Sequence, residues 1–200
     1  MVTADKAAGP GRKSALAEVR FGEDEGRRVL LVDGAVQSVA DAAAGGYWAA
    51  MVPLHRPRRA LLLGLGVGTV ARLLRDRFGA VPTVGVDDDP AVIALARREL
   101  ADLDLLQVVE ANAFEYVAST SERFDLACVD LYRGSRLQAG VVSRPFLRSL
   151  KAILAPRGLA TFNLYADRRV ATRLSRIARV FRLLRSVPIG KNVVVWCRCR

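Results

Sequence analysis

Residues 60–89 read ALLLGLGVGTVARLLRDRFGAVPTVGVDDD, and this stretch decides the fold. An apolar run, Ala60 to Leu63, ends in the alternate glycines Gly64, Gly66 and Gly68. Val67, Val70, Ala71, Leu73 and Leu74 then recur at helical spacing, and Ala80 to Val86 forms a second apolar run tipped by Asp87, Asp88 and Asp89. The pattern predicts a strand, a glycine turn, a helix and a second strand ending in carboxylates. Glycine lets the chain turn sharply and lets a ligand approach the backbone, while the start of the following helix offers unpaired N–H groups. An acid about 20 residues beyond such a turn can accept both hydroxyls of a ribose.

The glycine spacing narrows the ligand. A dinucleotide fingerprint, GxGxxG, places a third glycine where the helix meets the strand and a pyrophosphate against the first helical turn. Here that position is Thr69, and the spacing is GxGxG. This favours a ligand without a pyrophosphate, most simply an adenosine carrying a sulfonium side chain. The bland alternative is a tight strand-to-helix turn that holds no ligand.

Outward from this unit, 200 residues suit one domain with a sizeable core. No run approaches the roughly 18 apolar residues of a membrane span, and the opening MVTADKAAGPGRKSALAEV has no apolar signal core, so no membrane is involved and the expected location is the cytoplasm. With one histidine, His55, and no CxxC among Cys128, Cys197 and Cys199, no metal site is expected. The net charge of +11 is concentrated late in the chain, where Arg168, Arg169, Arg173, Arg176, Arg179, Arg182 and Arg185 follow the lone acid Asp167. This run reads either as a nucleic-acid or phosphate-binding face or as the solvated side of a helix, and no aromatics interleave to stack bases.

In chain order, residues 1–14 read as a disordered tail rich in Ala, Gly and Pro. Residues 15–52 read as a small amino-terminal β element and a short helix from Ala42 to Val52, and residues 53–200 as the main domain. In the main domain, Pro90 opens a helix, Leu105 to Val109 is a third strand, and a short helix follows Asn112 and Ala113. Phe124 to Val129 is a fourth strand ending at Asp130, Ser143 to Leu154 a helix closed by Pro156 and Gly158, and Leu159 to Leu164 a fifth strand. Asp167 to Phe181 reads as a long basic helix, and Phe181 to Val187 with Asn192 to Cys197 as an antiparallel hairpin. The predicted fold class is α/β: a Rossmann-like, mostly parallel seven-stranded sheet with a C-terminal antiparallel hairpin, preceded by a small β element.

In such a sheet the ligand crevice lies beyond the carboxyl ends of the strands. Gly64, Leu65, Gly66, Gly68, Asp87, Asn112 and Asp130 all fall at those ends. The backbone of Gly64 to Gly68 is therefore expected against the nucleoside, and Asp87 on the ribose with Asp88 as a near candidate. Asn112 is expected at the adenine amino group, flanked by Ala113 and Phe114. Asp130 is expected where the sulfonium carbon meets a nucleophile, and Asp89 at the start of the next helix.

The chain resembles the spermidine synthase-like group of the class I S-adenosylmethionine-dependent methyltransferase superfamily. The resemblance is carried by VDGAVQSVAD (Val32 to Asp41), LLLGLGVGTVARLL (Leu61 to Leu74), VGVDDDPAVIALAR (Val84 to Arg97), VVEANAFEYV (Val108 to Val117) and FDLACVDLY (Phe124 to Tyr132). It implies S-adenosylmethionine or its decarboxylated form as cofactor, Gln37 near the sulfur or amino-acid end, Asp87 on the ribose, Asn112 where the family has an aspartate, and Asp130 opening the catalytic loop. Of the family's tyrosine-histidine-glutamate cluster, Tyr47-Trp48-Ala49 keeps the tyrosine, and Arg133 stands where the family's loop has its second acid. A cation there repels a polyamine. The sequence by itself thus favours methyl transfer to an unidentified small-molecule acceptor, with two alternatives: aminopropyl transfer to a polyamine, or a non-catalytic scaffold that can form a homodimer.

Overall fold

A computed structural model of the chain describes residues 19–24, 27–32, 35–39 and 46–199. The tail expected over residues 1–14 lies outside these.

Strands β1 (Val19–Asp24), β2 (Arg27–Val32) and β3 (Ala35–Val39) form an antiparallel three-stranded sheet in the order β1-β2-β3. Val29 of this sheet is buried, packed with Leu31 and Trp48. Trp48 belongs to helix α1 (Tyr47–Met51), which starts only after Gly46; the part of the expected helix over 42–45 lies outside the described residues. Helix α1 lies on the main sheet, where the indole N–H of Trp196 donates to the carbonyl of Ala50 at 2.9 Å.

The main domain alternates as its sequence pattern predicts. Strand β4 (Ala60–Leu63) leads to α2 (Thr69–Phe78), β5 (Thr83–Asp87) to α3 (Pro90–Glu99), and β6 (Leu106–Glu110) to α4 (Ala113–Ser119). Then come β7 (Phe124–Val129), the short pair β8 (Tyr132–Arg133) and β9 (Arg136–Leu137), α5 (Arg144–Ile153), β10 (Leu154–Tyr165), α6 (Val170–Ala178), β11 (Arg182–Ile189) and β12 (Asn192–Arg198). Seven strands make one sheet in the order β11-β12-β10-β7-β4-β5-β6. Neighbours from β10 to β6 are parallel, and β12 alone runs against them.

Burial explains this arrangement. All four residues of β4 are buried, as are nearly all of β5 and β7, because helices cover both faces of a parallel sheet. One cluster, including Phe124, Phe146, Leu147, Leu150, Phe162 and Phe181, packs under α4, α5 and α6. A second, including Met51, Leu62, Leu74, Ala96, Leu100 and Trp196, packs under α1, α2 and α3.

Four expected boundaries are corrected. The fifth strand starts directly at Leu154, not at Leu159: Leu154 pairs with Phe124, and a register shift before Leu159 accommodates Pro156, Gly158 and Arg157, whose φ is +64°. The basic helix is shorter than 167–181, since the Asp167 carboxylate accepts the N–H of Arg169 at 2.8 Å and folds the entry into a turn. The segment after Asp130, read from the resemblance as a loop, contains the short β8–β9 hairpin. The terminal hairpin turns at Gly190 and Lys191, so that Pro188 and Ile189 lie inside β11. Arg168, Arg169, Arg176 and Arg179 are exposed on and beside α6, while Arg173 is drawn into an ion pair with Asp167 at 2.8 Å. No described helix is long and apolar enough to cross a membrane.

Candidate functional site

The glycine turn is shaped by contacts that exclude side chains. Gly64, Gly66 and Gly68 have φ of +83°, +55° and +82°, a region that glycine enters at little cost. A Cβ on Gly64 would lie 2.1 Å from the carbonyl oxygen of Asp130, and one on Gly68 would lie 2.3 Å from a methyl of Leu100. The N–H groups of Gly64 and Leu65 both donate to the carbonyl of Val86, at 2.9 and 3.1 Å. The Leu65 side chain is buried against Gly85, which leaves its backbone as the part that faces the strand ends.

Asp87 ends β5 and fastens the turn. Its carboxylate accepts the N–H of Gly66 at 3.1 Å and that of Asp89 at 3.3 Å. Burial pushes its pKa up, and the two N–H donors pull it back. Asp88 is ion-paired with Arg133 at 2.6 Å. Asp89 caps α3, accepting from Ala91 at 2.9 Å and Val92 at 3.4 Å, as its position before Pro90 predicts.

Asn112 caps α4. Its side-chain oxygen, expected to accept from the adenine amino group, instead accepts the N–H groups of Phe114 at 2.9 Å and Glu115 at 3.3 Å, so the group it can offer a ligand is its amide NH2, a donor. Ala113 is buried beneath it, and the Phe114 ring packs on Phe146 at 4.9 Å between centroids. Asn112→Ala is expected to cost about 1 kcal/mol and lower the melting temperature by roughly 2–4 °C, whereas Asn112→Asp keeps the cap; thermal denaturation of the two variants checks this. Gln37 lies in β3, and the ligand contact expected of its side chain falls outside the described residues.

Asp130 is the centre of a polar cluster. It leaves β7 beside the glycine turn and accepts a hydrogen bond from the Tyr47 hydroxyl and one from the Asn163 amide, the latter at 2.8 Å. Asn163, almost wholly buried, accepts in turn from the Asn192 amide at 2.7 Å. The Tyr132 hydroxyl donates to the Asn163 carbonyl at 3.4 Å, and the Tyr132 ring meets Tyr165 edge-on at 5.0 Å. Asp130 keeps part of its surface open, but protein packs densely around the carboxyl, and this desolvation raises its pKa to about 6 despite the Asn163 and Tyr47 hydrogen bonds. Burial likewise pushes the Tyr47 hydroxyl up, and the Asp130 charge adds to it. A carboxyl tuned to about 6 is ionised at neutral pH, yet basic enough to take a proton.

The sequence reading passes over Asn163, Tyr165 and Asn192. One signal was there: Asn163 is a polar residue in ATFNLY (Ala160 to Tyr165), an apolar run that folds as a strand buried on both faces. Among the described residues no group of three or more His, Cys, Asp or Glu is placed to hold a metal ion.

Comparison with known proteins agrees with the fold. Residues 61–162 match the family described as "Methyltransferase domain". The polyamine aminopropyltransferase of Chromobacterium violaceum is 30% identical over 129 residues, 62% of this chain and 49% of that protein. The chain thus spans about half the length of this curated relative. Among solved structures, spermidine synthase from Thermotoga maritima superposes with a TM-score of 0.70 at 17% identity, covering 94% of this chain and 70% of that one. Human methyltransferase-like protein 13, in complex with SAH, gives 0.69 at 22% identity, covering 78% and 83%. At these identities the structural likenesses are of fold.

Proposed function

Because the chain belongs to the methyltransferase-domain family, and its neighbours within that superfamily include polyamine aminopropyltransferases and spermidine synthases, we propose that it transfers an alkyl group from a sulfonium nucleoside to an amine, with Asp130 as the proton acceptor. The observation that carries this reading is the Tyr47–Asp130–Asn163 cluster standing beside the glycine turn.

The residues fit such a nucleoside. The Gly64 to Gly68 turn has no side chain at its three glycines and buries those of Leu65 and Val67, Asp87 presents a carboxylate for ribose hydroxyls, and Asn112 and Ala113 stand at the end of β6 for the base. A sulfonium nucleoside held by these residues would supply an activated carbon, with the electron pair of its carbon–sulfur bond leaving to sulfur as an amine nitrogen bonds to that carbon. Asp130 takes the proton that the amine must lose and passes it to solvent. Tyr47 and Asn163 keep its carboxyl oriented, and Asn192 holds Asn163.

The curated relatives favour aminopropyl transfer over the methyl transfer that the sequence by itself favours. Methyl transfer is the second reading, and Arg133, a cation at the position of the family's second acid, is the observation on its side. Incubation with S-adenosylmethionine or its decarboxylated form and a panel of amines separates the two. Release of methylthioadenosine marks aminopropyl transfer, and release of S-adenosylhomocysteine marks methyl transfer. Binding of either nucleoside with no acceptor-dependent release of either product would leave a non-catalytic scaffold.

A further inference from the structure

The β8–β9 hairpin joins its strands through Gly134 and Ser135 and sets Arg133 directly across from Arg136. Like charges facing each other across a strand pair are unfavourable unless an anion lies between or beside them. Asp88 answers Arg133 at 2.6 Å, and among the described residues no ion pair joins Arg136.

The place of this pair matters. β4 lies between β7 and β5 in the sheet, so a bond from Arg133, just past β7, to Asp88, just past β5, crosses the carboxyl end of β4, where the glycine turn lies. The Arg133 side chain is 72% exposed. With its guanidinium this open the ion pair is weak, so Arg133 can exchange Asp88 for a ligand's anion at little cost. A guanidinium also matches a carboxylate with two parallel hydrogen bonds, and two guanidiniums at one hairpin tip strengthen that match.

We propose that Arg133 and Arg136 form a carboxylate-binding site over the glycine turn, so that the crevice takes an amine that also bears a carboxylate in preference to a diamine. The inference rests on the reading above for the nucleoside and for Asp130, and adds the acceptor class. Asp130 takes the proton of the amine while the hairpin tip holds the acid end. The same site could instead be filled by the amino-acid carboxylate of the nucleoside, and the test separates the two sources.

The probes are 4-aminobutyrate and putrescine, which share an amine on a short chain and differ in whether the far end is an anion or a cation. Each is titrated calorimetrically into protein saturated with 5′-methylthioadenosine, for the wild type, Arg133→Gln and Arg136→Gln. The expected result is about ten-fold tighter binding of 4-aminobutyrate than of putrescine, lost in Arg133→Gln and weakened in Arg136→Gln. If the amines bind alike but S-adenosylhomocysteine binds about ten-fold tighter than methylthioadenosine, and Arg133→Gln removes that margin, the carboxylate belongs to the nucleoside. Tighter binding of putrescine, or a carboxylate preference unchanged in Arg133→Gln, overturns the proposal and leaves nucleoside binding intact. Failure of both nucleosides to bind overturns the proposed function and this inference with it.

Discussion

Gly64→Ala is expected to destabilise the protein by more than about 3 kcal/mol and to abolish nucleoside binding. Two costs add. A residue at φ +83° must enter a conformation that alanine avoids, and its Cβ would stand 2.1 Å from the Asp130 carbonyl oxygen. The clashing atom is backbone, held at its other side by the N–H of Asp130 donating to Leu63 at 2.8 Å, so the turn has no flexible side chain to move aside. Denaturant unfolding measures the loss. Gly79→Ala is the control: at φ +73° and ψ −157° it too lies where alanine is strained, but a Cβ there meets nothing within 4 Å, so it bears only the conformational cost of roughly 1–3 kcal/mol. Equal losses at the two positions would show that the approach of the turn to Asp130 carries no weight.

Asp130→Asn is expected to cut turnover by about 100- to 10,000-fold while nucleoside affinity stays within a few-fold of wild type. It should also stabilise the fold at neutral pH. The folded pKa of Asp130 is raised to about 6, above the unfolded carboxyl value of about 3.9, so the folded state binds a proton that the unfolded state has released. Asp130 therefore destabilises the fold progressively as pH rises from about 4 to about 6, and the penalty is complete above that. Its partial exposure discounts the penalty to roughly 1–2 kcal/mol at pH 8, which the amide variant recovers. Wild-type turnover, for the same reason, should climb through about pH 6 as the carboxylate appears. Unfolding curves at pH 4 and pH 8 test the stability part, and a difference between wild type and variant that does not change between them would contradict a raised carboxyl.

The residues whose placement could be read ahead are those whose neighbours in space are neighbours in sequence. Gly64 to Gly68 follow an apolar strand and precede a periodic helix, and Asp89 precedes a proline, so turn and cap are local facts. Asp87 and Asp130 sit at strand ends because buried apolar runs end there, and Asn112 lies between the half-exposed edge strand β6 and the helix it caps. The support for Asp130 was not legible in this way. Asn163 reaches it from 33 residues away and Asn192 reaches Asn163 from a further 29, because β10 lies beside β7 and reversed β12 beside β10. The pairing of Arg133 with Asp88 spans 45 residues and depends on β4 being inserted between their strands. Pro156 and Gly158 misled for the opposite reason. Both are local break signals, yet the bulge after Leu154 absorbs them inside one strand.

The terminal hairpin makes β11 an outer strand of the seven-stranded sheet, and that border is built to refuse company. In a two-residue hairpin the closing pair, Ile189 with Asn192, shares the hydrogen bonds, so the next residue, Pro188, directs its backbone outward, where it has no N–H to offer. Farther along, the register slips between Leu183 and Arg185, twisting the strand, and Arg182 and Arg185 put exposed charge on either side of the slip. A bulge, a proline and paired cations are the devices by which sheets avoid templating strangers. Two copies of this chain joined strand to strand into one continuous sheet are therefore disfavoured on the β11 side, and β6, the sheet's other margin, lacks these devices among the described residues.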